Sequence, residues 1–147
     1  TLVARRIAST RLLLCASPRY LQQAAPIREL ADLAQHDVIA YSYLATGEQW
    51  HFSGPEGARS ITVHPRLRSN SGDTCRAAAL ADQGVVFQPG FLVGEDLKAG
   101  RLVQILPQYA GPELDISVVY ASRQHLSHKV RAMVEFLATA FAQAGRF

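Results

Sequence analysis

The sequence predicts an α/β fold, in which short apolar strands alternate with helices along most of the chain. The clearest support is the stretch from Arg66 to Pro89, which predicts a strand, a polar loop, a small-residue helix and an apolar strand. Side chains of Ser69-Asn70-Ser71-Gly72-Asp73 can cap a helix over Thr74–Gln83, and Gly84 suits the positive φ that follows a helix. In such a βαβ unit the helix N-terminus lies at the carboxyl ends of the strands, where open α/β sheets bind ligands.

The first half of the chain carries signals for further strands, helices and a hairpin. Pro26 suits the first turn of a helix, because that position needs no backbone N–H. The turn former Gly54-Pro55-Glu56-Gly57 separates two β-forming segments and predicts a β-hairpin. In chain order we predict a strand over Arg11–Ala16, a helical turn at Tyr20 and Leu21, a helix over Pro26–Gln35, a strand over Val38–Tyr41, a loop over Ser42–Gly47, and hairpin strands over Gln49–Ser53 and Arg59–His64.

The second half ends in an amphipathic helix that Ser127 can cap. Its apolar residues repeat at helical spacing and share one face, which comprises Val130, Met133, Val134, Leu137, Ala138 and Phe141. Before it we predict a helix over Phe91–Ala99, a strand over Leu102–Leu106, a loop over Gln108–Pro112 and a strand over Asp115–Tyr120.

Composition narrows the classes of function. The net charge is +3 and the 15 Lys and Arg residues are scattered, so the sequence does not predict a nucleic-acid-binding surface. It contains no apolar run long enough to cross a membrane. Cys15 and Cys75 lie far apart and form no disulfide framework, which favours a reducing, cytoplasmic location. The chain begins with Thr1 rather than Met, so we expect it to be a piece of a longer protein.

Several segments together resemble the effector-binding domain of LysR-type transcriptional regulators. The run from Ala77 to Pro89 is similar to the family's AALAGLGIALLP, and the resemblance extends over about 130 residues. The other matching segments are Leu14-Cys15-Ala16-Ser17-Pro18-Arg19-Tyr20-Leu21, Trp50-His51-Phe52, Gly54-Pro55-Glu56-Gly57, Asn70-Ser71-Gly72-Asp73, Phe91-Leu92-Val93, Asp96 to Leu102, and Ser122 to Ala132.

The resemblance implies a fold like that of type 2 periplasmic binding proteins, in which two α/β lobes share a cleft. On that template residues 1–10 end lobe 1 and make the first crossing, and residues 11–105 form the effector-binding lobe 2. Residues 106–147 make the second crossing and return to lobe 1 as its last strand and helix. The winged helix-turn-helix and most of lobe 1 would lie outside this chain. The apolar face of the final helix would then need another segment or chain to cover it.

The same resemblance implies a small-molecule effector, a homodimer or homotetramer, and DNA binding only through the missing N-terminal domain. The effector would be an organic acid or a neutral ligand of similar size. We expect its site among residues that follow the strands: Ser42, Tyr43, Asn70, Ser71, Gly72, Asp73, Gln88 and Pro89. Free N–H groups at the helix N-terminus suit a carboxylate, although Asp73 competes for them and the loop could serve only as a cap.

Other functions remain open at this point. A solute-binding protein of a transporter could share the fold, and a small α/β enzyme would need a nucleophile beside a base. The sequence contains no catalytic motif, so we expect neither enzymatic activity nor a cofactor. His125 and His128 are a weak metal signal, since a third ligand is missing. Cys15 and Cys75 are either buried, inert thiols or a redox sensor. Trp50 with Phe52 should pack in the core or at a lobe interface.

Overall fold

The computed structural model describes residues 1–121 and 124–144, and it divides the chain into two compact units. Unit 1 contains Thr1–Thr10 and the chain from Glu113 onwards, and unit 2 contains Arg11–Pro112. The strands are β1 (Leu2–Ala16), β2 (Val38–Tyr41), β3 (Gln49–Gly54), β4 (Gly57–Thr62), β5 (Leu67–Ser69), β6 (Val85–Pro89), β7 (Val103–Gln104) and β8 (Glu113–Ala121). The helices are α1 (Pro18–Gln23), a 3₁₀ helix (Leu30–Gln35), α2 (Gly72–Leu80), α3 (Gly90–Lys98) and α4 (His128–Ala144).

The main sheet of unit 2 has the strand order β5-β2-β6-β1-β7. Strand β2 runs parallel to both neighbours, with Tyr41 opposite Ser69 of β5 and Val38 opposite Val85 of β6. Strand β1 is antiparallel to β6 and β7. Helix α2 therefore connects two parallel strands that lie on either side of β2, which is the predicted βαβ unit with one strand between. The carboxyl ends of β5, β2 and β6 meet at one edge of the sheet.

Apolar side chains pack on both faces of this sheet. On one face the β3–β4 hairpin places Trp50 and Phe52 against Phe87, with ring centroids 5.1 and 4.9 Å apart. The predicted core role of these two aromatic residues is thus confirmed. On the other face α2 and α3 bury a cluster that includes Cys15, Cys75, Ala79, Val86 and Val93.

A buried carboxylate joins α2 to α3. Asp96 is 0% exposed and accepts two hydrogen bonds from Arg76, at 2.5 and 2.9 Å, and one from Arg101 at 2.8 Å. The hydrogen bonds from Arg76, together with the one from Arg101, hold the pKa of Asp96 below its usual value against the opposing effect of burial. Two charged partners compensate the buried charge, so the ion cluster fixes α2, and with it the N-terminus of α2, against α3.

The helix predicted from Pro26 is wrong in its start and its type. The chain stays irregular through Glu29, and only Leu30–Gln35 forms a helix, of the 3₁₀ kind. The carboxylate of Asp32 accepts hydrogen bonds from the backbone N–H groups of Arg28 and Glu29, at 2.8 and 3.0 Å. Glu29 and Asp32 form a capping box, so the helix begins at Leu30 rather than at Pro26.

Helix α2 ends at Leu80, three residues earlier than the predicted Gln83. Asp82 then has a φ of 63°, so it takes the left-handed position that the sequence assigned to Gly84. Gly84 does have a positive φ, of 148°, and a Cβ there would lie 2.4 Å from the backbone oxygen of Asp37. The glycine is therefore required by a close approach between two chain segments.

The strand predicted over Leu102–Leu106 is also shorter than expected, because β7 contains only Val103 and Gln104. Ile105 donates its N–H to Leu14 at 2.9 Å, and Leu106 then turns away with a φ of 50°. A leucine in the left-handed region cannot continue the extended backbone of a strand, so the strand geometry ends there.

In unit 1, strand β8 pairs with β1, and α4 follows. Arg5 forms an ion pair with Glu135 at 2.6 Å, and Ser127 accepts a hydrogen bond from Val130 N–H, as predicted for a cap. The predicted apolar face of α4 is unevenly covered: Val134 is buried, whereas Met133 is 56% exposed. Ser122 and Arg123, which belong to the segment resembling the entry to the last helix, lie outside the described residues.

Of the helices described, none combines the length and hydrophobicity that a membrane span requires.

Candidate functional site

The candidate site lies in unit 2, where the parallel strands β2, β5 and β6 end. The loop after β2 sits beside the loop after β5, because Ser42 donates its N–H to the backbone oxygen of Ser69 at 2.8 Å. Two of the predicted loops, one with Ser42 and Tyr43 and the other with Asn70 to Asp73, are thus neighbours at the carboxyl edge of the sheet.

The loop after β5 ends in a well-formed helix cap. Ser71 is the N-cap of α2 and its hydroxyl oxygen accepts a hydrogen bond from Thr74 N–H at 3.3 Å. Ser71 N–H in turn donates to the hydroxyl of Ser69 at 3.1 Å. The predicted capping role is confirmed, although the cap residue is Ser71 and the helix begins at Gly72. The N-terminus of α2 carries the positive end of the helix dipole, so this positive end lies at the loop.

Gln88 stands out at the end of β6, because it is only 2% exposed and its amide nitrogen Nε2 has no hydrogen-bond partner among the described residues. Its side chain lies against the start of α2: a Cβ added at Gly72 would be 3.4 Å from Gln88 Oε1 and 3.0 Å from Leu92 Cδ2. A buried, unpaired donor costs about 1–3 kcal/mol of stability.

The remaining predicted residues are less enclosed. Tyr43 is 70% exposed and packs its ring edge-on against Tyr41 at 5.9 Å. Asn70 and Asp73 are exposed, and Asp73 lies in the first turn of α2. Pro89 is half-buried, pairs with Leu12 of β1 and precedes α3. The structure therefore joins Ser42 to the α2 loop and Gln88 to Gly72, and leaves Tyr43, Asn70 and Asp73 at the surface.

Thr10 is a buried polar side chain that the sequence analysis did not predict. Thr10, the last residue of the first segment of unit 1, is 3% exposed, and its hydroxyl has no partner among the described residues. No local motif marks it, since its burial depends on tertiary packing rather than on neighbours in sequence. A threonine in a strand is ordinarily explained by its β propensity alone.

The redox and metal alternatives gain no support from the geometry. Both cysteines are fully buried, and burial raises the pKa of Cys15 to about 12 and also raises the pKa of Cys75. Their thiols thus remain protonated and poorly nucleophilic. His125 and His128 are exposed. Within residues 1–121 and 124–144, no three His, Cys, Asp or Glu side chains are placed to hold a metal ion.

Comparison with known proteins decides the family. The sequence profile of the LysR substrate binding domain matches residues 1–142. The chain belongs to that family. The HTH-type transcriptional regulator DmlR of Escherichia coli is 35% identical over 97% of this chain and 46% of its own length. This LysR substrate-binding domain thus spans about half the length of the curated relatives it matches. These relatives are transcriptional regulators.

Solved structures agree with the assignment. The regulatory domain of CrgA from Neisseria meningitidis, a LysR-type regulator, superimposes with a TM-score of 0.85 at 25% identity, over 95% of this chain and 69% of that domain. The regulatory domain of AphB from Vibrio vulnificus, treated with cumene hydroperoxide, has a TM-score of 0.78 at 27% identity, over 94% and 68% of the two chains. The α/β class, the periplasmic-binding-protein-like fold and the LysR resemblance are therefore confirmed.

Proposed function

We propose that this LysR substrate-binding domain is the effector-sensing part of a bacterial transcriptional regulator. The family membership and the regulators among its relatives support this function. A small molecule would act by binding, without chemical conversion, and would stabilise one arrangement of the intact protein. It can shift that equilibrium only by its difference in affinity for the two arrangements.

Residues 11–105 would form the effector-binding lobe, and the ligand would lie at the carboxyl edge of its sheet. Its contacts would come from Ser42, Tyr43, Asn70, Ser71, Gly72, Asp73, Gln88 and Pro89. The observation that carries this placement is the buried side chain of Gln88, whose Oε1 lies near Gly72 and whose Nε2 has no partner among the described residues. An amide donor and a helix N-terminus both favour an acceptor oxygen, so the ligand would be an organic acid.

The whole protein would work as a homodimer or homotetramer in the cytoplasm and would bind DNA through a domain outside this chain. The basis for both statements is the family, since the relatives are HTH-type regulators about twice as long as the match. On this proposal the 15 scattered cationic residues of the present chain make no DNA surface.

The test is a thermal-shift screen of the intact protein against small aliphatic and aromatic acids, each paired with its neutral amide. A ligand that binds only the folded protein raises the Tm by mass action. We expect acids to raise the Tm and their amides to do so much less. Gln88→Leu should lower the affinity for the acid about tenfold, which is the contribution of one charge-assisted hydrogen bond.

Gln83→Leu is the matched control, because Gln83 is exposed and its amide donates only to the backbone oxygen of Ala81. It should leave the affinity unchanged. Equal responses to acids and amides would overturn the acid, and an unaltered response of Gln88→Leu would overturn the placement of the site. Promoter binding that never changes with any ligand would argue against sensing altogether.

A further inference from the structure

Leu92 of α3 lies at the carboxyl edge of the unit 2 sheet, where the sequence predicted no apolar contact for a ligand. A Cβ added at Gly72 would be 3.0 Å from Leu92 Cδ2 and 3.4 Å from Gln88 Oε1, so these three residues meet at the start of α2. The chain explains this meeting: β6 carries Gln88 to the carboxyl edge, and α3 begins at Gly90 directly after that strand. Leu92 therefore belongs to the first turn of α3, beside the polar groups proposed to bind the effector.

The N-terminus of α2 has two donors that its cap does not use. The Ser71 hydroxyl accepts a hydrogen bond from Thr74 N–H at 3.3 Å, whereas the N–H groups of Gly72 and Asp73 have no partner within the described residues. The first N–H groups of a helix have no partner inside the helix, and carboxylate oxygens suit them as acceptors. A carboxylate that accepts from these groups would lie beside Gly72, and therefore beside Leu92.

The Leu92 side chain leaves little room around Gly72. Non-bonded carbon atoms at their optimal separation are about 3.5–4.0 Å apart. A methyl group 3.0 Å from Cδ2 would therefore require the leucine to move. Leu92 is half-buried and packs against the apolar cluster between the sheet and the two helices. One side of Leu92 is thus supported by the core, and its accessible side is free to contact hydrocarbon next to a bound carboxylate.

We propose that Leu92 determines the size of the acid that this site accepts. Its side chain would contact the α-carbon of the bound acid, admitting an unbranched α-carbon and excluding a branched one. In a confined apolar site one methylene group changes binding by about tenfold or more. This role requires a carboxylate at the N-terminus of α2 and so rests on the proposed function. It adds a specificity-determining residue and narrows the ligand class to acids with little bulk next to the carboxylate.

Three acids of equal main-chain length and charge test this role in the intact protein: butanoate, 2-methylbutanoate and 2,2-dimethylbutanoate. They differ only in the methyl groups on the α-carbon, and isothermal titration calorimetry gives their Kd values. We expect butanoate to bind about tenfold more tightly than 2,2-dimethylbutanoate. Leu92→Ala should bring the two Kd values to within about threefold, because the shorter side chain makes room for the methyl groups. The ratio of two affinities in one variant is independent of the folded fraction, so a loss of stability alone leaves it unchanged.

Leu97→Ala is the matched control. Leu97 is also a half-buried leucine of α3, and it packs against the same apolar cluster. It lies further along α3, towards the end that points away from the carboxyl edge. The substitution removes the same atoms as Leu92→Ala, and it should leave the ratio of the two Kd values unchanged.

Gly72→Ala alters the same contact from the other side. Gly72 is not among the glycines with positive φ, so its backbone accepts an alanine. The added methyl group should crowd Leu92 and lower the affinity for butanoate about tenfold, and Leu92→Ala in the same chain should restore most of that loss. Such a rescue is a non-additive effect, which is expected where two side chains are in contact.

An equal change of the ratio in Leu97→Ala would show that α3 loosens as a whole, and it would overturn the role of Leu92. Equal affinities of the unaltered protein for the three acids would do the same, as would a double variant that binds butanoate no better than Gly72→Ala. Acid binding would persist in these three outcomes, so the proposed function would stand. No binding of any of the three acids by folded protein at millimolar concentration would instead overturn the acid site itself, and the role of Leu92 with it.

Discussion

The two edges of the unit 2 sheet treat their buried polar groups differently. At the amino edge, Ser17 donates to Asp82 at 2.6 Å, and the Tyr20 hydroxyl lies between His36 and the backbone of Asp37. At the carboxyl edge, Gln88 is buried more deeply than His36, yet its amide nitrogen has no partner in the described part of the chain. One edge thus cross-links its polar side chains, and the other leaves a donor unpaired.

This difference distinguishes buried polar groups that stabilise the fold from buried polar groups that are available to bind a ligand. A buried group that is paired contributes to stability, whereas an unpaired one lowers it by an amount comparable to a lost hydrogen bond. A sequence retains the second kind only where another molecule completes the pair, or where nothing better fits the space. The amide nitrogen of Gln88 is of the second kind among the described residues, so the carboxyl edge is where we place the effector.

The largest effect is expected at the amino edge, from Tyr20→Phe. The change removes the hydroxyl that serves both His36 Nδ1 and Asp37 N–H, so it leaves two enclosed groups unpaired. We expect the free energy of unfolding to fall by about 2–3 kcal/mol. Urea denaturation followed by circular dichroism measures it, and Tyr43→Phe at an exposed ring should change nothing. A loss below about 0.5 kcal/mol would mean that the pairing at this edge adds little to stability.

At the carboxyl edge the sign should reverse. Gln88→Leu replaces an unpaired amide with an apolar side chain of similar size, so the free energy of unfolding without ligand should rise by about 1 kcal/mol. The same denaturation experiment compares it with the exposed Gln83→Leu, for which no change is expected. A clear destabilisation would show that Nε2 has a structural partner in the intact protein, and the contrast between the edges would then disappear.

The sequence predicted the strands and turns of unit 2 better than it predicted where each helix begins. Local signals sufficed for β2, for the hairpin around Gly54-Pro55-Glu56-Gly57 and for the Ser71 cap, because apolar runs and turn formers act over a few residues. The helix predicted from Pro26 begins four residues later, at Leu30, because Glu29 and Asp32 form a capping box there. The spacing of apolar residues does not report where such a cap forms.

The site was predictable in position more than in chemistry. The carboxyl ends of parallel strands follow from the βαβ pattern, so Ser42, Ser71 and Gln88 could be named in advance. That Gln88 lacks a partner is a tertiary property, since it depends on how β6 packs against Gly72 and Leu92. The Tyr20–His36 pair, 16 residues apart, was likewise not predicted, because no sequence pattern connects the two residues.

The smallest expected effect concerns Cys75, which lies in the first turn of α2 at the carboxyl edge. A helix N-terminus lowers a thiol pKa, whereas burial raises it, and here burial prevails: the side chain is 0% exposed and its pKa is raised. Native protein should therefore resist N-ethylmaleimide and cumene hydroperoxide for hours, while protein unfolded in urea should react at both cysteines. Mass spectrometry of the intact chain counts the modified thiols. Rapid native labelling of Cys75, but not of Cys15, would instead add a redox-active thiol to the edge that holds the unpaired amide.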